Sequence, residues 1–149
     1  MKNLPILLFI FFSFSLWSQS EKASAMIDWK LLEDVEFKDQ YFQEYEAWYL
    51  VPSFGEKVKK YANKSVVIRG YVIPMDVDGK EYALSHYPFS ACFFCGGAGP
   101  ESVMNLDFKE YPKRFETDEF LYFKGTLRLN DSDFEGFSYI LEDCELIDP

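Results

Sequence analysis

The alternation of apolar and polar residues predicts β-strands in the second half of the chain. The predicted strands cover residues 65–75, 81–86, 102–108, 119–129 and 137–147. Alternation in the first strand holds only if Gly70 marks a bulge. Asp78-Gly79 is a hairpin signal between the first and second strands, and Gly125 interrupts the fourth. These patterns predict a mainly β protein.

Five strands with bends at Gly70 and Gly125 are typical of one small architecture. They favour an OB-like five-stranded Greek-key barrel over residues 65–149, since an irregular connector also separates the third strand from the fourth. Another small β-barrel or a β-sandwich is the alternative, although a two-sheet sandwich usually has seven or more strands.

The segment 21–64 is expected to be a helical or extended piece that packs on the barrel. Asp28 can cap a short helical turn, and residues 54–61 have the pattern of a short amphipathic helix. Between them, four aromatic residues recur at steps of four, four and three. They are Phe37, Tyr41, Tyr45 and Trp48. This spacing predicts a helical stripe that faces the core.

Residues 1–20 have the pattern of a signal peptide. Lys2 precedes an apolar run over residues 4–17, and Ser18, Gln19 and Ser20 follow it. The run is shorter than the roughly 20 residues that span a bilayer, so we expect cleavage rather than an uncleaved anchor. The first cysteine is Cys92, which argues against a lipid anchor on an N-terminal cysteine. The expected product is exported, periplasmic or secreted, with no stable membrane span.

The charge balance argues against binding to nucleic acid or anionic lipid. The chain has 15 Lys and Arg against 25 Asp and Glu, a net charge of −10. Nucleic-acid binding depends on basic residues that meet phosphates, and this surface repels them. Cations are compatible with it.

The strongest candidate chemistry lies in the turn Cys92-Phe93-Phe94-Cys95-Gly96-Gly97. Two thiols three positions apart, followed by glycines, can direct both sulfurs to one point, as in zinc knuckles. A thiophilic metal ion, zinc or copper, is therefore one expectation. Candidates for the remaining ligands are His86, Glu101 and Cys144.

Two other states of the same cysteines stay open. An exported compartment favours a Cys92–Cys95 disulfide, which would staple a structural or protein-interaction module. A thiol–disulfide oxidoreductase is the third alternative, but Gly96 to Pro100 prevent the helix start that lowers a catalytic thiol's pKa. Hydrolysis is disfavoured because His86 is the single histidine and no neighbour orients it. We therefore expect a protein without enzymatic activity.

Three stretches resemble a known family. Residues 69–76 (RGYVIPMD), Tyr87-Pro88 and Ala91-Cys92-x-x-Cys95 are similar to the motifs G-Y-x-x-P-L-D and P-x-x-G-A-C-x-H of an uncharacterised family of exported bacterial proteins. That family is an OB-like domain of unknown function. Residues 27–32 (IDWKLL) and 123–127 (FKGTL) also resemble its first motif and one of its strands.

The chain departs from that family at the cysteine turn. Phe94 stands where the family has histidine, and Cys95 follows it. A Cys/His pair replaced by Cys/Cys is what interchangeable metal ligands would produce, so the resemblance favours metal over a disulfide. Members of the family are often encoded beside export-type transporters. The resemblance therefore implies an envelope transporter as a partner.

Overall fold

The computed structural model describes residues 23–110, 114–133 and 136–148, and the predicted signal peptide lies outside them. Within these residues the chain forms eight β-strands and two short α-helices. The strands are β1 (Ala25–Met26), β2 (Val35–Phe42), β3 (Ala47–Phe54), β4 (Lys64–Pro74), β5 (Tyr82–Ser85), β6 (Val103–Phe108), β7 (Phe120–Leu129) and β8 (Tyr139–Ile147). The helices are α1 (Trp29–Leu32) and α2 (Glu56–Lys59).

Strands β4 to β8 form a closed five-stranded barrel. Their order is β4-β5-β6-β8-β7, and pairing between β4 and β7 closes the ring. The β6–β8 pair is parallel, whereas the other four pairs are antiparallel. Each of the five predicted strands is present, so the prediction of a mainly β protein is confirmed.

The barrel is filled by side chains from all five strands, and the buried positions alternate most regularly in β7. In β7, Phe123 and Leu127 are fully buried, while Tyr122 and Lys124, on either side of Phe123, are only half-buried. Tyr82, Leu84, Met104 and Leu141 add fully buried side chains from the other strands. Burial of each such side chain stabilises the fold by about 1.5–3 kcal/mol, because apolar surface is removed from water.

Gly70 does not form the bulge that its position in β4 predicted. The pairing of β4 with β7 runs without interruption from Lys64↔Leu127 to Tyr71↔Phe120. A Cβ at Gly70 would lie 2.6 Å from the carbonyl oxygen of Ser85 and 2.9 Å from Cγ of Leu84. The glycine is therefore needed because β5 passes too close to admit a side chain.

Gly125 does coincide with an irregularity. The register between β7 and β8 shifts between Lys124 and Thr126. A Cβ at Gly125 would lie 2.7 Å from Cγ of Leu141 and 2.8 Å from the carbonyl oxygen of Glu142. The two strands therefore approach closely at the bend.

The predicted helical stripe in the N-terminal segment is wrong, because those residues form a β-hairpin. Strands β2 and β3 pair with each other as a separate two-stranded sheet. Phe37 and Tyr41 both lie on β2, and the turn returns Trp48 opposite Tyr41, with the two rings 5.4 Å apart. A spacing of four also places residues on one face of a strand, so the stripe fitted both structures.

The two helices are single turns held by acidic caps. The side chain of Asp28 accepts the N–H of Leu31 at 3.0 Å, as predicted for a capped turn there. The Asp34 carboxylate accepts the N–H groups of Lys57 and Val58 at the start of α2. Among the described residues, no helix has the length and apolar character that a bilayer crossing requires.

Helix α1 is attached to the barrel by two hydrogen bonds. The indole Nε1 of Trp29 donates to the carbonyl oxygen of Arg69 in β4 at 2.8 Å. The buried hydroxyl of Tyr139 in β8 donates to the carbonyl oxygen of Leu32 at 2.6 Å. The second bond satisfies one of the carbonyls that a helix end leaves without an internal partner.

We expect Tyr139→Phe to destabilise the fold by about 1–3 kcal/mol, since it leaves the buried Leu32 carbonyl unsatisfied. Tyr71→Phe is the matched control, because the Tyr71 side chain is half-buried and contacts Phe120 through its ring. Denaturant unfolding of both variants measures the difference. Equal free energies of unfolding would contradict the assignment of this bond as an anchor of α1.

Candidate functional site

The cysteine turn lies in the connection between β5 and β6. Three short 3-10 turns build it, at Phe89–Ala91, Phe93–Cys95 and Pro100–Ser102. The backbone reverses after the second turn at Gly96, whose φ of 71° is a left-handed conformation that glycine adopts without strain. The N–H groups of Cys95 and Gly97 both donate to the carbonyl oxygen of Cys92. These bonds hold the two cysteines in one compact loop.

Both cysteine sulfurs face one backbone oxygen. The Sγ of Cys92 lies 3.0 Å from the carbonyl oxygen of Phe89, and the Sγ of Cys95 lies 3.1 Å from the same oxygen. Both thiols are free, so no disulfide joins them. The convergence predicted from the Cys-x-x-Cys-Gly-Gly spacing is therefore present in the structure.

The two thiols differ in exposure. Cys92 is fully buried in a small apolar cluster with Ile73, Ala83 and Val103, apart from the main core. Cys95 is exposed. The first sulfur therefore fixes the turn to the barrel, and the second is open to a reagent or ligand from solvent.

His86 takes part in aromatic packing beside α1. Its ring stacks on Trp29 with a centroid distance of 5.6 Å and an interplanar angle of 6°. It also contacts the ring of Tyr87 at 4.3 Å. The imidazole lines a groove beside α1.

Glu101 lies in the third 3-10 turn of the same connection, and Cys144 lies in β8. Burial raises the pKa of Tyr139 above its usual range, and the negative charge of Glu101 contributes to this rise. Cys144 is buried in β8 within the main core, opposite Phe108. Burial raises the pKa of the Cys144 thiol to about 12, and nearby Asp107 adds to the effect.

The structure thus brings together two of the five predicted ligands. In residues 23–110, 114–133 and 136–148, no group of three or more His, Cys, Asp or Glu side chains is arranged to hold a metal ion. Cys92 and Cys95 form a pair, whereas His86 stacks on Trp29 and Cys144 is buried in the main core. The cysteine spacing is local and could be predicted, whereas the other three positions depend on tertiary contacts.

The sequence reasoning missed a second feature, an aromatic groove between α1 and the outer face of β4 and β7. Arg69 and Tyr71 alternate outward on β4, opposite Tyr122 and Phe120 on β7. The signal was present in the sequence: large aromatic residues occupy the solvent-facing positions of two predicted strands.

The similarity to known proteins is confined to fold. No family model matches the chain, and no curated protein matches it. A crystal structure of a DUF3299 family protein from Pseudomonas aeruginosa is similar, with a TM-score of 0.51 and 14% sequence identity over 85% of this chain and 98% of that one. That neighbour belongs to an uncharacterised family. The motifs and the transporter association implied by the sequence resemblance stay predictions.

We expect the three thiols to react with a charged disulfide reagent in the order Cys95, Cys92, Cys144. Cys95 is exposed and the other two are buried, and the raised pKa of Cys144 further lowers its reactive thiolate fraction. Timed labelling followed by peptide mass spectrometry measures the order. Denaturant should abolish the differences, and rapid labelling of Cys144 in the folded protein would contradict them.

Cys144 should also make the fold sensitive to alkali. Its pKa rises from 9.0 to about 12 on folding, so the unfolded thiol ionises first and stability falls as pH rises through that window. Cys144→Ala should lessen this fall, with Tyr139 left to titrate as before. Unfolding curves taken across the window test it, and identical pH dependence in both proteins would refute the assignment.

Proposed function

We propose that this protein is a non-enzymatic β-barrel domain that binds a thiophilic metal ion, copper or zinc, through Cys92 and Cys95. The observation that carries the proposal is the shared position of the two sulfurs against the Phe89 carbonyl oxygen. An ion that replaces the two thiol protons would contact both sulfurs without a rearrangement of the strands and turns around them.

The asymmetric exposure of the pair supports binding rather than a purely structural role. Buried Cys92 is held by three strands, so one ligand is positioned before an ion arrives. Exposed Cys95 gives the ion a route in and out. A structural metal site would instead be closed on all sides by protein ligands.

The number of donors favours copper(I) over zinc. Structural zinc sites almost always have four protein ligands, and the described residues bring together two sulfurs without a third His, Cys, Asp or Glu side chain. Thiolates are soft ligands that select copper(I), which accepts low coordination numbers. Zinc would require further donors from water or from a second protein at the exposed side of Cys95.

We propose further that the barrel is OB-like. The strand order β4-β5-β6-β8-β7, with closure between β4 and β7 and a parallel β6–β8 pair, is the arrangement expected of a five-stranded Greek-key barrel. In this arrangement the cysteine turn is the connection between the second and third barrel strands. The fold by itself assigns no activity, because the same architecture supports many functions.

The setting proposed for this activity is outside the cytoplasm. The pattern of residues 1–20 supports export, to the periplasm or to the medium. The family resemblance supports an accessory role for the domain in an envelope transport system, with a transporter component as the protein partner. The net charge of −10 supports the view that nucleic acid is not a partner.

Metal binding is tested with anaerobically purified, reduced protein exposed separately to copper(I) and zinc(II), then desalted. We expect about one copper ion per chain, with proton release on binding, and roughly a tenth of that after Cys92→Ser plus Cys95→Ser. Cys144→Ser is the matched control and should retain copper. Elemental analysis measures the content, and the proposal fails if the double variant retains as much metal as the wild type or if neither binds.

The same closeness of the sulfurs supports a second candidate, a Cys92–Cys95 disulfide that staples the turn of an interaction module. Export would favour its formation. Mass spectrometry of protein isolated under oxidising conditions should then show the loss of two hydrogen atoms, restored by reductant. Free thiols that persist at both positions after treatment with oxidised glutathione would eliminate this candidate.

A further inference from the structure

The aromatic groove beside α1 has the size and lining of a ligand site. It is open to solvent and has a volume of about 1010 Å³, similar to pockets that hold drug-sized ligands. Its walls come from α1, β4, β7 and His86, the residue that follows β5. The side chains that matter are Trp29, Arg69, Tyr71, His86, Phe120 and Tyr122.

Arg69 is the cationic side chain that β4 contributes to the groove. Its guanidinium lies 5.4 Å from the ring centroid of Phe120 and 5.7 Å from that of Tyr122, and Nη1 donates to the Tyr122 hydroxyl at 3.0 Å. Among the described residues, no carboxylate forms an ion pair with it. Since a guanidinium has five N–H donors in a planar fork, most of them remain for a carboxylate ligand.

The rings of the groove are not all needed by the core. Tyr71 and Phe120 pack on each other at 4.7 Å, outside the main apolar cluster, and Phe120 is 47% exposed. Trp29 and His86 stack in parallel on the opposite wall. Trp29 itself is buried in the main core, so the exposed ring surface comes from the other aromatic residues. Exposed ring faces bind planar or apolar ring systems through stacking.

The charges on the helical wall limit what the ligand can carry. Asp28 and Glu33 flank Lys30 along α1, so this wall is net negative, and the protein as a whole has a charge of −10. A polyanion would be repelled by both. A ligand with a single carboxylate and an apolar ring suits the groove, because the carboxylate can contact Arg69 while the ring contacts the aromatic walls.

We propose that this groove binds a small ligand that combines a flat apolar ring with one carboxylate, with Arg69 as the carboxylate partner. The pair forms a charge-assisted, bidentate contact on a guanidinium already oriented by two rings. This binding is separate from metal binding at the cysteine turn, because neither Cys92 nor Cys95 lines the groove.

The test uses 2-naphthoate and 2-naphthamide, which share a ring system but differ in charge, with the purified protein in calorimetry. We expect naphthoate to bind at least about tenfold more tightly than naphthamide, since a charged hydrogen-bonded contact is lost in the amide. Arg69→Gln should remove that preference, and Arg69→Lys should retain part of it. Arg128→Gln, which removes an arginine on the same strand pair, should leave naphthoate binding unchanged.

Three results would overturn the proposal. They are absence of naphthoate binding at millimolar concentration, equal affinity for the two probes in the wild-type protein, and a naphthoate affinity in Arg69→Gln equal to that of the wild type. The comparison of the two probes in the wild-type protein does not depend on the folding of any variant. None of the three results depends on Cys92 or Cys95, so the test is independent of metal binding.

Discussion

Strand β4 is the element on which the rest of the structure depends, because it pairs with three other strands. Its length of 11 residues lets it contact β7 along most of its course and β5 at its end. The two pairings overlap at Tyr71, next to Gly70, where β5 leaves no room for a Cβ. β1 also pairs with β4, in parallel, at Val66 and Val67. Closure of the barrel, the attachment of α1 and the position of β5 therefore all depend on β4.

The position of the cysteine turn follows from that closure. Cys92 is buried by Ile73 of β4, Ala83 of β5 and Val103 of β6, three neighbouring strands of the barrel. A connection of this length would otherwise cost considerable conformational entropy to order. Burial of one thiol offsets part of that cost, and it leaves the other thiol of the pair exposed at a defined place.

Local patterns in the sequence predicted what local forces determine. Period-two alternation located the five barrel strands, and Cys-x-x-Cys-Gly-Gly predicted that both sulfurs converge. The hairpin of β2 and β3 was missed because Phe37 and Tyr41, four positions apart, share a face in a helix and in a strand alike. The turn that decides between them contains Glu46, with a φ of 50°, and carries no glycine to mark it.

The remaining ligands could not be predicted for a different reason. The position of His86 depends on stacking with Trp29, 57 positions earlier in the chain, and that contact exists only once β1 and α1 have docked on β4. Cys144 is a candidate ligand because it carries a thiol, but it lies in the main core. The aromatic groove similarly joins residues from four separate segments. The spacing of residues along the chain does not predict contacts between segments so far apart.

The shared carbonyl of Phe89 links the chemistry of the turn to the backbone around it. Both thiols use the same oxygen as acceptor, so any reaction that removes both protons deprives that oxygen of two donors at once and sets sulfur lone pairs against it. That oxygen would keep the backbone N–H of Cys92, at 3.4 Å, as a donor. The N–H of Phe89 is held by Asp118, in the loop that leads into β7, at 2.7 Å. Phe89 therefore connects the acceptor shared by the two thiols to the loop that precedes the strand closing the barrel.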